Sequence, residues 1–307
     1  MSILRNSIPT VIIASAMLAS CGGGGNGGST PPPPQPPPPN LAALPITGDN
    51  AQDITAAVLD AATSVAELVS ITDFIGIPVA NATEIVACDV GDITKTWDDL
   101  DDSSTVSTGD TFVGVFNDCF MDASATTING AVSLTNLIIT GDPINEIAPW
   151  GLAMTVGLTD LAIADADGTA TVNGDLGIDS SSNDNIIGNG AADSTLVTIQ
   201  YSSGVNEELA DYMIVQTIDM NTLTSSIDTS GTFTSTVLEG SVTFETLQSF
   251  VAVADANPSA GEMLISDGTS SVLVTVIDNV NIQLEIDFDL DGVINRTIVV
   301  GWVDLDL

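Results

Sequence analysis

From Thr83 onward the sequence repeats one pattern, in which segments rich in Val, Ile and Thr are separated by Gly, Asp and Asn. β-Branched residues are stiff at χ1 and fit a pleated surface better than a helix. About a dozen such segments follow one another without helical segments between them, which predicts antiparallel pairing. The clearest segments are residues 112–119, 130–140, 152–164, 195–202, 212–220, 232–238, 241–251, 271–278, 281–290 and 293–304. The sequence therefore predicts a mostly β fold, either a large antiparallel meander or sandwich or a curved sheet.

One segment near the start of the chain has helical spacing. Between residues 50 and 74 apolar side chains recur every three or four positions, and acidic residues lie on the opposite face. Asp49 or Asn50 can cap the start of this helix, and Gly76 marks its end. The pattern predicts one N-terminal helix that packs its apolar stripe on the sheet.

Three Gly-containing sites resemble hairpin turns. Asn-Gly pairs at Gly130 and Gly174, and a Glu-Gly pair at Gly240, lie between alternating apolar residues. Asn-Gly in this context is the strongest short-range signal for a hairpin. Because Gly168 lies close before Gly174, one of those two sites is expected to be a bulge.

The last hairpin can be aligned residue by residue. A three-residue loop of residues 290–292 pairs Ile286 with Arg296, Leu284 with Ile298, and Phe288 with Ile294. A two-residue loop would instead bring aspartates onto the apolar face. The alternation of apolar residues therefore predicts the first alignment.

The charge balance excludes several functions. The chain has 41 Asp and Glu, three Lys and Arg, and no His. So acidic a protein cannot neutralise a phosphate backbone, which excludes nucleic-acid binding. Without His there is no Ser-His-Asp or Cys-His catalysis and no imidazole metal ligand. No other catalytic motif is present, and we expect the chain not to be an enzyme.

The N-terminus has the features of an export signal. Residues 1–20 combine one positive charge, a short apolar run and small residues, and are too short to span a bilayer. The sequence Leu18-Ala19-Ser20-Cys21 resembles the lipobox of bacterial lipoproteins. The resemblance implies cleavage before Cys21, acylation of Cys21 and, because Gly22 follows, an outer-membrane location. The alternative is an ordinary signal peptide with an unrelated cysteine.

A Gly- and Pro-rich segment, residues 21–44, separates this signal from a single β-rich domain of residues 45–307. The Gly-rich part is typical of a flexible tether, and the proline runs are typical of a stiff polyproline II rod. We expect the tether to join the lipid anchor in the membrane to the folded domain.

Cys88 and Cys119 are an even pair in a chain with an export signal, so the sequence predicts a disulfide between them. The alternative, two free thiols with a redox or metal role, lacks a Cys-x-x-Cys spacing.

An acidic stretch between these cysteines has the spacing of a calcium loop. Oxygen-bearing residues fall at positions 1, 3, 5, 7, 9 and 12 of residues 99–110, and this order resembles EF-hand and dockerin-type loops. Ser104 stands where such loops have Gly, and the short Asp110 stands where they have Glu, so affinity is expected to be weak. A solvated acidic loop without an ion remains the alternative. The candidate ligands are Asp99, Asp101, Ser103, Thr105, Ser107 and Asp110.

A second acidic cluster lies in the last hairpin. It resembles the Asp-x-Asp-x-Asp-Gly loops of calcium-binding repeats, although position 12 is the apolar Ile298. A hairpin without an ion explains the same residues, and the sequence favours that interpretation. The candidate ligands are Asp287, Asp289, Asp291 and Asn295.

The stretch between the cysteines, the Asn-Gly pairs and the C-terminal hairpin together resemble a group of uncharacterised proteobacterial lipoproteins, over most of residues 45–307. That resemblance implies no activity. The sequence predicts an outer-membrane-anchored binding, adhesion or structural module with calcium as its only cofactor and an unspecified protein or ligand partner. The alternative is a periplasmic carrier of a hydrophobic ligand or lipid, because many strands are apolar on both faces.

Overall fold

The computed structural model describes residues 42–68, 80–121, 126–143, 147–166, 168–184, 186–254 and 256–305. Fourteen strands in these ranges form one antiparallel sheet in which each strand pairs with its neighbours in sequence. The mostly β prediction is confirmed. The strands are β1 (Ala82–Ala87), β2 (Val90–Asp98), β3 (Thr111–Met121), β4 (Thr126–Asp142), β5 (Ile147–Ala164), β6 (Thr169–Ser182), β7 (Ile187–Tyr201), β8 (Asn206–Asp219), β9 (Thr224–Ser235), β10 (Gly240–Val253), β11 (Ala260–Ser266), β12 (Ser271–Val276), β13 (Asn281–Asp287) and β14 (Arg296–Gly301).

The predicted N-terminal helix is present as α1 (Ala51–Leu68). Asn50 precedes it, and the carbonyl oxygen of Asn50 accepts the amide of Ile54 at 2.9 Å. Ile54 and Val58, four residues apart on the apolar stripe, are fully buried. Positions 69–74 of the predicted helix, and Gly76 after it, lie outside the described residues.

The sheet has one apolar inner face, and the size of that face bears on the shape of the sheet. Buried side chains from every strand between β2 and β14 join those of α1 in one continuous core. Fourteen strands spaced ~4.8 Å apart would span roughly 65 Å if flat, whereas an 18-residue helix is only about 27 Å long. One helix cannot cover such a face, so we infer that the sheet curves and packs its inner side chains against one another.

The segment before α1 crosses one end of this sheet. We call residues 42–50 the N-terminal strap. The amide of Leu44 donates to the carbonyl of Ser241 at 3.0 Å, at the start of β10. The amide of Ile46 donates to Oγ of Ser270 at 2.8 Å, in the β11–β12 turn. The strap therefore connects the ends of successive hairpins before the chain enters the core.

The two Asn-Gly pairs do not form turns, and their prediction as hairpin turns is wrong. Gly130 lies inside β4 and Gly174 inside β6, each at a shift in strand register. The side-chain oxygen of Asn129 accepts the amide of Asp118 on β3 at 2.8 Å. In the same way Asn173 accepts the amide of Asp160 on β5 at 2.7 Å.

Each pair lies opposite a bulge in the preceding strand, because two residues of β3 oppose Asn129 and two residues of β5 oppose Asn173. One residue of each bulge has a left-handed backbone. Asp118 and Asp160 have φ values of 47° and 46°. Gly130 has a φ of 101°, and a Cβ there would collide with the carbonyl of Asp160. The expectation of a bulge at Gly168 or Gly174 is met at Gly174. Of the three sites, only Glu239-Gly240 lies at a turn, between β9 and β10.

The last hairpin has the predicted alignment, with Ile286 opposite Arg296 and Leu284 opposite Ile298. Its loop is longer than the predicted three residues, because the strands end at Asp287 and resume at Arg296. The pairing of Phe288 with Ile294 is therefore absent. The physical reason is that loop amides bind the Asp287 side chain instead of continuing the ladder.

Cys88 and Cys119 form the predicted disulfide, with their Cα atoms 5.4 Å apart. The bond joins the β1–β2 turn to β3, and Cys119 is fully buried.

Replacing Gly130 by Ala is expected to lower the free energy of unfolding by about 3 kcal/mol, since left-handed strain and a backbone collision act together. Gly204 is the matched control, because its φ is 89° but nothing lies within 4 Å of a Cβ there. Gly204→Ala should lose only about 1 kcal/mol. Urea unfolding measures both, and equal losses would contradict the bulge interpretation.

Candidate metal-binding loops

The first acidic loop, residues 99–110, connects β2 to β3 and gathers three of the predicted ligands. Carboxylate oxygens of Asp99, Asp101 and Asp110 all lie within 4.8 Å of one another. Asp99 and Asp110 are buried, whereas Asp101 is exposed. Hydrogen bonding from Ser103 lowers the pKa of Asp101 below its ordinary value, which favours the ionised form.

Asp110 is held by donors from three directions. Nε1 of Trp97 donates to its carboxylate at 3.2 Å, and the amide of Ser107 does so at 2.9 Å. The amide of Leu100 donates to its other oxygen at 3.2 Å. The indole contact was not anticipated from the sequence, although Trp97 directly precedes the acidic run. Asp110 therefore closes the loop whether or not an ion is bound.

The remaining predicted ligands bond within the loop. Oγ of Ser103 donates to the carbonyl of Thr105 at 2.8 Å, the carbonyl that was predicted as a ligand. Oγ of Ser107 lies 3.3 Å from the Asp110 carboxylate and donates to it. The structure thus brings these oxygens near the cluster without separating them from their own partners.

Ser104 replaces the Gly of the calcium-loop pattern, yet the backbone takes the conformation that Gly would favour there. Its φ is 58°, and Asp102 also has a positive φ, of 55°. The amide of Ser104 donates to Asp99 at 2.6 Å, and the amide of Ser103 does so at 3.2 Å. The substitution predicted to disturb the turn is therefore accommodated, at the cost of backbone strain.

The second acidic loop, residues 287–295, connects β13 to β14 and contains the second cluster. Carboxylate oxygens of Asp287, Asp289 and Asp291 lie within 4.8 Å of one another. Asp287 is buried, whereas the other two carboxylates are exposed. Asn295, the fourth predicted ligand, instead accepts the amide of Phe288 at 2.6 Å and braces the loop.

Loop amides stabilise the ionised form of Asp287. The amide of Gly292 donates to its carboxylate at 2.9 Å, and the amide of Asp289 at 3.2 Å. Burial alone raises the pKa of Asp287, but these amide donors outweigh it and hold the pKa below its ordinary value.

The two acidic loops share one backbone conformation. In each, the first aspartate is buried and accepts the amide of the residue five positions later, which is Ser104 in one loop and Gly292 in the other. In each, that residue has a positive φ, and so does the residue two positions before it. Aligning Asp99 with Asp287 in the sequence would have revealed this equivalence. Because the first loop follows an even-numbered strand and the second an odd-numbered one, they lie at opposite ends of the sheet.

A separate acidic group lies between α1 and the sheet. Oη of Tyr201 donates to Oε2 of Glu207 at 3.1 Å. Burial, with a further contribution from the negative charge of Asp60 on α1, raises the pKa of Glu207 to about 6. Burial also raises the pKa of Tyr201. No local pattern in the sequence predicts this group, because its members come from α1, β7 and β8.

An open groove of about 560 Å³ lies at the ends of β4, β5 and β6. Its lining includes Ile138, Gly151, Ala153 and Asp179. None of the sequence-predicted ligands lines this groove, so it is distinct from both acidic loops.

No match was found for the chain among models of known protein families, among curated proteins or among solved structures. No helix in the described part of the chain is long and apolar enough to cross a membrane. The lipobox and Cys21, the signal peptide, and most of the tether precede Ala42 and lie outside the described residues. Those features, and the resemblance to proteobacterial lipoproteins, stay predictions.

Glu207→Gln is expected to stabilise the protein at pH 8 by roughly 1–2 kcal/mol, because a pKa of about 6 against an ordinary 4.5 penalises the buried charge. The sign follows from the raised pKa: the folded state binds the proton more tightly, so stability is lost as pH rises from 4.5 through 6. At pH 4 the variant and wild type should therefore unfold alike. Urea midpoints across this range measure the effect, and Asp60→Asn should reduce it. Parallel pH curves for Glu207→Gln and wild type would contradict the assignment.

Proposed function

We propose that the chain is an exported lipoprotein, anchored in the outer membrane through Cys21, that serves as a non-enzymatic binding or structural module stabilised by calcium. Three features support the proposal: the lipobox, the tether that follows it, and a disulfide of the kind that persists in oxidising compartments. We assign no catalytic residues, since the sequence lacks His and any recognisable nucleophile–base pair.

The observation that carries the calcium part is the convergence of three carboxylates in each acidic loop. Calcium binds six to eight oxygens at roughly 2.3–2.6 Å. Oxygens that lie within 4.8 Å of one another can all contact a single ion at such distances. The buried Asp99 and Asp287 would provide the fixed ligand of each loop, and water would complete the coordination at the exposed carboxylates.

Bound calcium would stabilise the fold by removing repulsion between carboxylates. In each loop three carboxylates repel one another, and the chain has few cations to offset them. A bound ion removes that repulsion and links the two strands that the loop connects. We expect weak calcium binding that a chelator reverses. Amide donors already occupy part of each buried carboxylate, and the protein supplies few ligands.

The alternative, a carrier for a hydrophobic ligand, requires free apolar space inside the sheet. Within the described residues, α1 occupies part of the inner face, with Ile54 and Val58 fully buried against it. This packing favours the binding or structural module over the carrier. Native mass spectrometry of the purified chain tests the carrier directly, because a co-purified lipid would support it.

Calcium is expected to raise the melting temperature, because a ligand at 100 times its Kd stabilises the folded state by about 2.7 kcal/mol. Asp99→Asn and Asp287→Asn should each reduce this shift by weakening one loop. The matched control is Asp278→Asn, since Asp278 accepts turn amides at 2.8 Å but belongs to neither cluster.

Differential scanning calorimetry in calcium and in chelator measures the shift. Identical melting temperatures in the two conditions would contradict calcium stabilisation. An equal reduction by Asp278→Asn would indicate a general loss of turn stability rather than loss of an ion site.

A further inference from the structure

The second acidic loop exposes an unusual number of large apolar side chains. Phe288, Leu290, Val293 and Ile294 are 44%, 45%, 60% and 44% exposed. Every residue from 288 to 297 is exposed, so the loop projects from the sheet. Four apolar side chains in one projecting loop are not needed for packing, and they form a surface suited to an apolar environment.

Two other connections at the same end of the sheet are polar. The β7–β8 turn has Ser-Ser-Gly at residues 202–204, and the β11–β12 turn has Asp-Gly-Thr-Ser at residues 267–270. These turns satisfy the usual preference for polar and small residues in exposed loops. The β9–β10 turn is an exception, because Val237 is 63% exposed there. The second acidic loop, with four exposed large apolar side chains, still carries most of the exposed apolar surface among these turns.

The N-terminal strap places this loop on the side where the chain enters the folded domain. The strap follows the ends of the β9–β10 and β11–β12 hairpins, and Asp49 then contacts Nη1 of Arg296 at 3.5 Å. Arg296 is the first residue of β14 and directly follows the second acidic loop. The tether, which precedes Ala42, therefore joins the domain at the end that carries the exposed apolar side chains.

We propose that the second acidic loop is a membrane-contacting loop, whose apolar side chains enter the interfacial layer of the bilayer that holds the lipid anchor. The inference rests on the lipid anchor proposed above. Because the tether keeps the domain near the bilayer, even a weak contact of a few side chains is sufficient.

The negative charges of the second acidic loop oppose its contact with an anionic bilayer. Asp289 and Asp291 lie among the apolar side chains and would be repelled by anionic headgroups. An ion held by the Asp287 cluster would offset that repulsion and leave coordination positions for phosphate oxygens. A second copy of this chain would present the same negative loop and the same acidic surface, so like-charge repulsion disfavours it as the occupant.

The test uses the full acylated chain, reconstituted in vesicles of phosphatidylethanolamine and phosphatidylglycerol. Val293→Cys introduces a single free thiol for an environment-sensitive dye, since Cys21 is acylated and Cys88 is paired with Cys119. Val280→Cys is the matched control. Val280 is 58% exposed, close to the 60% of Val293, but lies in the β12–β13 turn at the opposite end of the sheet.

In calcium, a quencher in the lipid phase is expected to reduce the emission of the dye at position 293 at least about twofold, and to leave the dye at position 280 unchanged. Equal quenching at both positions, or at neither, would overturn the membrane-contacting loop. Quenching at position 293 that persists in chelator would support the contact and count against a role for calcium. Failure of the chain to remain with the vesicles would instead contradict the lipid anchor itself.

Discussion

The inner face of one continuous sheet is the constraint on which the rest of the structure depends. Each strand from β2 to β14 presents apolar side chains to that face, and burial of apolar surface is the main force that stabilises a fold. Curvature, the bulges and the N-terminal strap all serve to keep this face from water. The bulges opposite Asn129 and Asn173 interrupt β3 and the 18-residue β5, where bulges favour bending, and α1 packs on part of the sheet. Tyr212 fixes α1 there, because its hydroxyl donates to the carbonyl of Ala62 at 2.7 Å.

Apart from the buried aspartates of the acidic loops, two charged groups among the described residues adjoin the apolar core, and their physical consequences differ. Lys95 is 8% exposed on the inner face, directly opposite Glu84, which is 4% exposed. Burial lowers the pKa of Lys95, and the negative charge of Glu84 offsets only part of that effect. Glu207 has Tyr201 as its hydrogen-bond partner and the negative Asp60 nearby, and its charge is correspondingly unfavourable. Lys95 therefore faces a carboxylate of β1, although it lies just before the first acidic loop in sequence.

Local alternation predicted most of the fold, because each strand must turn one set of side chains to the core. It also predicted the alignment of Ile286 with Arg296, since a one-residue slip would bury aspartates. The same local information failed at Gly130, because a positive φ is required in a bulge as well as in a turn, and only the neighbouring strand decides between them. In the first acidic loop, the sequence spacing alone predicted that Asp99, Asp101 and Asp110 lie together. The contact of the Trp97 indole with Asp110, and the raised pKa of Glu207 near Asp60 of α1, depend on interactions that no local pattern encodes.

Backbone amides, rather than cations, stabilise the ionised form of aspartates in the turns. Amides of Ile187 and Ile186 hold the pKa of Asp184 below its ordinary value, and amides of Val280 and Asn281 do the same for Asp278. A lowered pKa means that these turn aspartates stabilise the fold above their unfolded pKa and lose that contribution as pH falls. Glu207 has the opposite sign, since its contribution improves on acidification. Both contributions are therefore favourable in mildly acidic solution. There Glu207 begins to take up a proton, while the turn carboxylates remain ionised.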